Sequence, residues 1–271
     1  MINLQGVARP NSLMEDFTVF SSLVKNYRLS KRQRILEHSK NKTALNGLSF
    51  SVNKGEIFGL LGPNGAGKTT AMRIAAGLIK SDSGDVFVDG ISVRKNKIEM
   101  QKRIGFLSED LRLEEFFTPD YLFDFFAALR EVPKNTIKTR KAMLFERFGI
   151  HNYAHKPIAT LSNGMRQMVS LTLSIAHDPQ LFIFDEPTNG LDVVLARYVI
   201  DFLMEMKNLG KTIILSTHIF NLVEKLCDRV GIIIDGRMLY LNSLSAINAE
   251  TNLEAIFYSV YDNQSTTTAT T

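Results

Sequence analysis

The nine residues Gly62-Pro63-Asn64-Gly65-Ala66-Gly67-Lys68-Thr69-Thr70 constrain this chain more than any other stretch. They follow the apolar run Ile57-Phe58-Gly59-Leu60-Leu61 and lead into a segment with helical character. Glycines at 62, 65 and 67 let the backbone turn with few side chains in the way, so that successive N–H groups converge on an anion. A helix starting near Lys68 brings its free amides and its positive dipole end to the same point. The pattern therefore predicts a phosphate-binding loop in which Lys68 reaches the outer phosphates and the Thr69 hydroxyl is placed to ligate Mg2+. The bare pattern arises by accident in roughly one chain in a hundred. A strand before it and a helix after it make accident a poor account, and they commit the chain to α/β architecture.

The remaining texture agrees with a parallel sheet covered on both faces. Phe17–Val24 and Leu45–Val52 read as strands, and Asn53-Lys54-Gly55 turns into the strand that feeds the loop. Asp85–Val93 and Arg103–Leu107 read as further strands. A mostly helical region then spans about 111–176, with apolar residues at helical spacing in Tyr121–Leu129 and Lys138–Phe148. Strand Leu181–Phe184, helix Val193–Leu209, strand Thr212–Leu215 and helix Phe220–Leu226 follow, and Val230–Ile234 with Arg237–Leu241 forms a hairpin around Asp235-Gly236. Leu195, Val199, Phe202, Leu203 and Met206 give the second of these helices one buried face.

Composition excludes several alternatives. A chain of 271 residues with 45% hydrophobic content buries a real core, so disorder throughout is ruled out. The net charge of +4 is too mild to require nucleic acid, and none is expected as a partner. With Cys227 as the single cysteine there is no intrachain disulfide, and the residue reads as an inert helix position in a reducing compartment. No apolar run is long enough to span a bilayer, and Met1–Pro10 lacks the layout of a secretory signal. Lys25–Lys42 carries seven basic residues against the single acid Glu37 and reads as an exposed basic loop or short helix, either a solvated insertion or a docking surface for acidic lipid or a partner. Gln264–Thr271 is a low-complexity polar tail expected to be disordered.

A phosphate loop needs a metal partner and a means of activating water. Leu181-Phe182-Ile183-Phe184-Asp185-Glu186 delivers two acids to the C-terminal edge of a buried strand, where open α/β sheets bind ligands. Asp185 suits Mg2+ and Glu186 suits the orientation and deprotonation of an attacking water.

From about Phe17 to Ser243 the chain resembles the nucleotide-binding subunit of an ATP-binding-cassette (ABC) transporter. The most diagnostic stretch is Leu161-Ser162-Asn163-Gly164-Met165-Arg166-Gln167, which is similar to the family's signature motif. The resemblance implies a phosphate-loop NTPase core with a parallel sheet, an N-terminal antiparallel β part and an α-helical subdomain, organised as a cassette over 1–243 with a C-terminal helix and tail over 244–271. It also implies a head-to-tail dimer, a homodimer in which one chain supplies both subunits, with two ATP molecules sandwiched. In it the signature residues of one subunit cap the γ-phosphate held by the other. Ser162 suits an N-cap that leaves the Asn163 and Gly164 amides aimed at an anion. Asn163 and Met165 replace the family's commonest residues and resemble the branch of sodium, drug and polysaccharide exporters whose membrane part is a separate polypeptide.

Further positions carry the family's pattern. Asn189-Gly190-Leu191-Asp192 resembles the loop linking the two sites, with Asp192 at its acidic position. Ser216-Thr217-His218 resembles the switch, in which His218 contacts the γ-phosphate and holds Glu186 and water. Tyr27 is the candidate for stacking on adenine, although Phe20 or Tyr27 could equally be packing residues. Glu109 stands where the family usually has a glutamine that touches Mg2+. Glutamate either keeps that metal-linked role or faces solvent with only the coupling surface retained. The implied function is an ATPase powering transport, with export favoured, through a separate membrane permease to which the chain attaches on the cytoplasmic side. A soluble ABC protein without a transport role is the second reading. The short spacing between Lys68 and Asp185 leaves no room for the long coiled coils of the DNA-repair relatives, and a GTPase or small-molecule kinase would not account for the signature.

Overall fold

A computed structural model describes residues 16–32, 34, 39–108, 112–247 and 252–268. Met1–Pro10 and the tail's last residues, 269–271, lie outside this set, as does part of the basic stretch. Ten strands and eight helices are labelled here in chain order. The central sheet has six strands in the order β10-β9-β3-β8-β7-β6. They are β3 (Ile57–Leu61), β6 (Ile104–Leu107), β7 (Leu181–Asp185), β8 (Thr212–Thr217), β9 (Arg229–Ile234) and β10 (Arg237–Ser243). All pair in parallel except β10, which returns antiparallel to β9. Every residue of β3, β7 and β8 is buried, which is why they read as unbroken apolar runs rather than alternating ones.

A second, antiparallel sheet in the order β2-β1-β4-β5 lies beside the first. It contains β1 (Asp16–Arg28), β2 (Asn41–Asn53), β4 (Ser83–Val88) and β5 (Ile91–Ser92). One core joins it to the central sheet and to α1 (Lys68–Ala75). Within it the rings of Phe20, Phe50 and Phe58 stack in series at centroid distances of 4.0 and 5.1 Å. The other core packs the opposite face against α3 (Pro119–Leu129), α4 (Lys134–Arg147), α5 (Asn163–Ser174), α6 (Val193–Asn208), α7 (Phe220–Leu226) and α8 (Leu253–Thr268). The α6 stripe behaves as expected: Val199, Phe202 and Leu203 are fully buried, with Leu195 and Met206 packed beside them.

Four sequence expectations are corrected. The basic stretch does not begin as a loop or short helix, because β1 and β2 continue outward with Tyr27 opposite Lys42 and Arg28 opposite Asn41. Cross-strand pairing supplied by the partner overrides the local polarity that suggested a loop. The single strand expected over Asp85–Val93 is a hairpin, turned by Asp89 and Gly90 at φ of 51° and 72°. Arg103 ends a helix, α2 (Lys97–Arg103), rather than opening a strand. The polar segment from Gln264 to Thr268 continues α8. Leu253, Ile256, Phe257 and Val260 form an apolar stripe that docks this helix on the core, and propagation beyond the stripe costs little once the helix is nucleated.

Cys227 follows α7 directly and is buried where a Cβ on Gly59 would lie 2.9 Å from its sulfur. Burial pushes its thiol well above the usual range, as an inert packing residue requires. Among the described residues no helix is long and apolar enough to cross a membrane.

Candidate functional site

The phosphate loop joins β3 to α1 at the C-terminal edge of the central sheet. Its shape is imposed from outside as well as from within. A Cβ on Gly62 would lie 2.3 Å from the Ile233 carbonyl, and one on Gly67, at φ of 106°, would lie 2.4 Å from the Ala44 carbonyl. The Ala66 carbonyl accepts from Gly236 N at 2.9 Å, so the β9–β10 turn and strand β2 both press on the loop. Helix α1 has no side-chain N-cap, which leaves its first-turn amides to an anion. Lys68 donates from Nζ to the Gly62 and Pro63 carbonyls at 2.6 and 3.2 Å, curled over the loop that it would leave for a phosphate. Burial lowers the pKa of its ammonium, and the charges of Glu186 and Asp185 partly restore it.

Both acids sit where the sequence placed them. Asp185 is the last residue of β7 and is 3% exposed; it is paired in register with Ser216 of β8, whose hydroxyl donates to Asp185 Oδ1. Glu186 is buried too and takes a left-handed backbone at φ of 50°. A non-glycine residue in that region stores strain of about 1–3 kcal/mol, of the kind that clusters at functional sites. Its amide donates to the Ser216 carbonyl at 3.1 Å, which fixes the turn. His218 lies just past β8, and its Nδ1 is 3.0 Å from Glu186 Oε1. One cavity of about 170 Å³ is walled by Pro63 to Thr70, Asp185, Glu186 and Ala44.

Tyr27 lies at the rim of this region, with its hydroxyl 3.5 Å from Thr70 Oγ1, its ring partly exposed and Lys25 Nζ 5.7 Å above the ring centroid. Phe20, by contrast, is 1% exposed within the inner core, which settles it as a packing residue. Of the two aromatic candidates, only Tyr27 is exposed at the rim.

The signature residues are not in that cavity. Ser162 is the N-cap of α5, its Oγ accepting from Met165 N at 3.2 Å. Ser162 and Asn163 are exposed, while Met165 packs against the core. Gly164 faces α6 so closely that a Cβ there would lie 2.6 Å from Leu195 Cδ1. Asp192 caps α6 by accepting from Val194 N and Leu195 N, both at 2.9 Å. Each cap accepts from first-turn amides of its own helix, and neither Ser162 nor Asp192 lines the phosphate-loop cavity. Glu109 lies outside the described residues.

Two contributors went unnoticed at the sequence level. The Ser216 hydroxyl orients Asp185, and the Ala44 carbonyl closes the phosphate loop at Gly67. Ser216 carried a signal, because it stands two residues before His218 on the strand flanking β7; Ala44 carried none. Among the described residues no group of three or more His, Cys, Asp or Glu side chains could hold a metal unaided. Asp185 and Thr69 offer hard oxygen donors at one wall, a sparse set that fits Mg2+, since that ion keeps waters and takes phosphate oxygens to complete its shell.

A family model described as ABC transporter matches residues 45–189. The chain is 34% identical over 83% of its length to ABC transporter ATP-binding protein NatA of Bacillus subtilis, covering 92% of that protein. It shares the fold of a solved ATP-binding subunit of an ABC transporter, with a TM-score of 0.80 at 24% identity, over 90% of this chain and 99% of the other. It also shares the fold of MJ0796, a dimeric ATP-binding cassette in a post-hydrolysis state with ADP and Pi, at a TM-score of 0.73 and 22% identity, over 84% and 98% of the two chains.

Proposed function

Because the chain belongs to the family of ABC transporter ATP-binding proteins, and is an ATPase by that membership, we propose that it works as one half of an ATP-sandwich dimer whose hydrolytic centre is Glu186. The observation that carries this reading is the 3.0 Å contact of His218 with Glu186 at the wall of the phosphate-loop cavity.

Each residue then has a defined part. Backbone amides of the loop from Gly62 through Gly67, with Lys68, Thr69 and Thr70 at the start of α1, bind the phosphates of ATP, and the Tyr27 ring stacks on adenine. Glu186 accepts a proton from water as the water oxygen attacks the γ-phosphorus; the bond to the ADP oxygen breaks and phosphate is released. His218 holds Glu186 in place and contacts the γ-phosphate. Asp185, Thr69 and Glu109 would hold Mg2+, which neutralises charge on the phosphates when bound. Ser162, Asn163, Gly164 and Met165 of a second copy close the site, and Asp192 links the two halves. The exposure of Ser162 and Asn163, and the absence of the signature residues from the lining of the chain's own phosphate-loop cavity, support this pairing.

The cassette is proposed to span 1–243, with its helical subdomain at about 111–176, and to drive a separate membrane permease, in the export direction suggested by Asn163 and Met165. It would sit peripherally on the cytoplasmic side. A cleft of about 320 Å³ between the core and that subdomain supports docking there. It is walled by Leu78, Phe106 and Phe126, and it holds Ser108, whose buried hydroxyl has no partner, and Arg130, which forms no ion pair among the described residues. Of the aromatic cluster, Phe123 is core, whereas Phe116 and Phe125 are 70% and 49% exposed.

Replacing Glu186 by Gln tests the assignment. Turnover should fall by about 10²–10⁴-fold while ATP binding persists and a dimer accumulates. Unaltered hydrolysis would remove Glu186 from the mechanism.

A further inference from the structure

We propose that the C-terminal helix α8 holds the His218 switch in register with Glu186, acting through the Phe220 ring, so that Phe257 and Tyr258 are positioning residues for hydrolysis. This rests on the reading of His218 and Glu186 given above. Only His218 and Ile219 separate the end of β8 at Thr217 from the first residue of α7 at Phe220. Any rotation of the first turn of α7 is therefore passed directly to His218. Its side chain is 55% exposed, so packing around the imidazole does little to fix it, and the backbone has to.

Helix α7 is poorly equipped to fix itself. It has seven residues, its N-cap is Ile219 with no side-chain cap, and its first turn holds no acid. So short and uncapped a helix is marginal alone and takes its place from tertiary contacts. Leu222, Val223 and Leu226 anchor its inner face in the core. The first turn is gripped from α8, where the Phe257 ring meets Phe220 edge-on at 5.3 Å and Tyr258 lies 6.4 Å away. Tyr261 stacks behind Phe257 at 6.1 Å. The far end of the pair is tied by Leu253, fully buried, whose amide donates to Glu224 Oε1 at 3.3 Å. Like His218 and α7, helix α8 lies outside the span matched by the family model.

The test is a double-mutant cycle on the full chain. ATPase kinetics are measured for Phe257→Ala in the native background and in His218→Ala, with nucleotide titration and thermal unfolding alongside. Phe257→Ala should lower kcat about tenfold, leave KM for ATP within about twofold, and add nothing further in the His218→Ala background. Phe257→Tyr, which keeps the ring edge, should restore kcat. Equal losses in both backgrounds, or an unchanged kcat where His218→Ala is impaired, would overturn the proposal alone. An unimpaired His218→Ala would overturn the switch reading of His218 and the proposal with it. If Phe257→Ala fails to fold, Phe220→Leu keeps the bulk, removes the ring contacts and is judged by the same outcomes.

Discussion

Ser162 allows a folding role and a binding role to be separated at one atom. Its Oγ accepts from Met165 N at the start of a twelve-residue helix. Ser162→Ala removes that cap and should cost about 1 kcal/mol, which lowers Tm by about 2–4 °C in a chain of this size. Ser162→Asp caps as well as serine and adds a favourable charge at the helix N-terminus, so its stability should stay within about 0.5 kcal/mol of the native chain. In the proposed dimer, however, this position faces a γ-phosphate. Two like unit charges about 4 Å apart repel by about 4 kcal/mol at an effective dielectric constant near 20. That is close to a thousandfold loss of association at each interface site, against about tenfold to a hundredfold for Ala, which forfeits one charge-assisted hydrogen bond. The assay is sedimentation velocity of the Glu186→Gln chain with Mg-ATP, run beside thermal unfolding. The expected order of dimerisation is Ser above Ala above Asp, and the expected order of stability is Asp equal to Ser above Ala. Equal dimerisation of Asp and Ser would refute the phosphate-facing assignment; Asp as unstable as Ala would refute the capping argument.

Two further outcomes follow from local geometry. Burial, reinforced by the Arg130 charge and only partly offset by the bond to the Ile104 carbonyl, pulls His177 down to about 4 from its ordinary 6.5. The unfolded chain therefore binds this proton first, and stability that is full above about pH 6.5 is lost as pH falls toward 4, by about 2 kcal/mol between pH 8 and pH 5. His177→Gln keeps a donor for Ile104 and should flatten that slope in urea unfolding; an unchanged difference between the two pH values would contradict it. Gly62→Ala forces a Cβ to within 2.3 Å of the Ile233 carbonyl, a backbone atom that cannot swing aside. Strain of about 1–3 kcal/mol should weaken ATP binding by roughly tenfold to a hundredfold in a nucleotide titration, and full affinity would show that the loop tolerates displacement.

The parts of the site that could be read in advance are those whose chemistry is written over a few consecutive residues. The glycines and Lys68 of the loop, the acid pair ending an apolar strand, the capping serine at 162 and the histidine after β8 all depend on short-range geometry: a turn, a strand end, a helix start. The parts that could not be read depend on residues far apart in sequence. Basic residues around Arg28 looked like a loop because their pairing partners, such as Asn41 and Lys42, lie on the other strand. The end of helix α8, from Gln264, looked like a polar tail because what orders the helix is the burial of Leu253 and the grip on Phe220, more than thirty positions upstream.

By itself, the sequence determined the kind of site and the order of its parts, since backbone conformation and side-chain chemistry at each motif are local properties. Only the tertiary structure decided how the parts meet. Parallel pairing of β7 with β8 puts the Ser216 hydroxyl on Asp185, and the short connection beyond β8 carries His218 to Glu186. The Ala44 carbonyl reaches Gly67 from a different sheet, and Glu186 holds a left-handed backbone while Ser216 accepts its amide hydrogen. These are long-range contacts, and their register is set by the burial of whole strands rather than by any single residue in them.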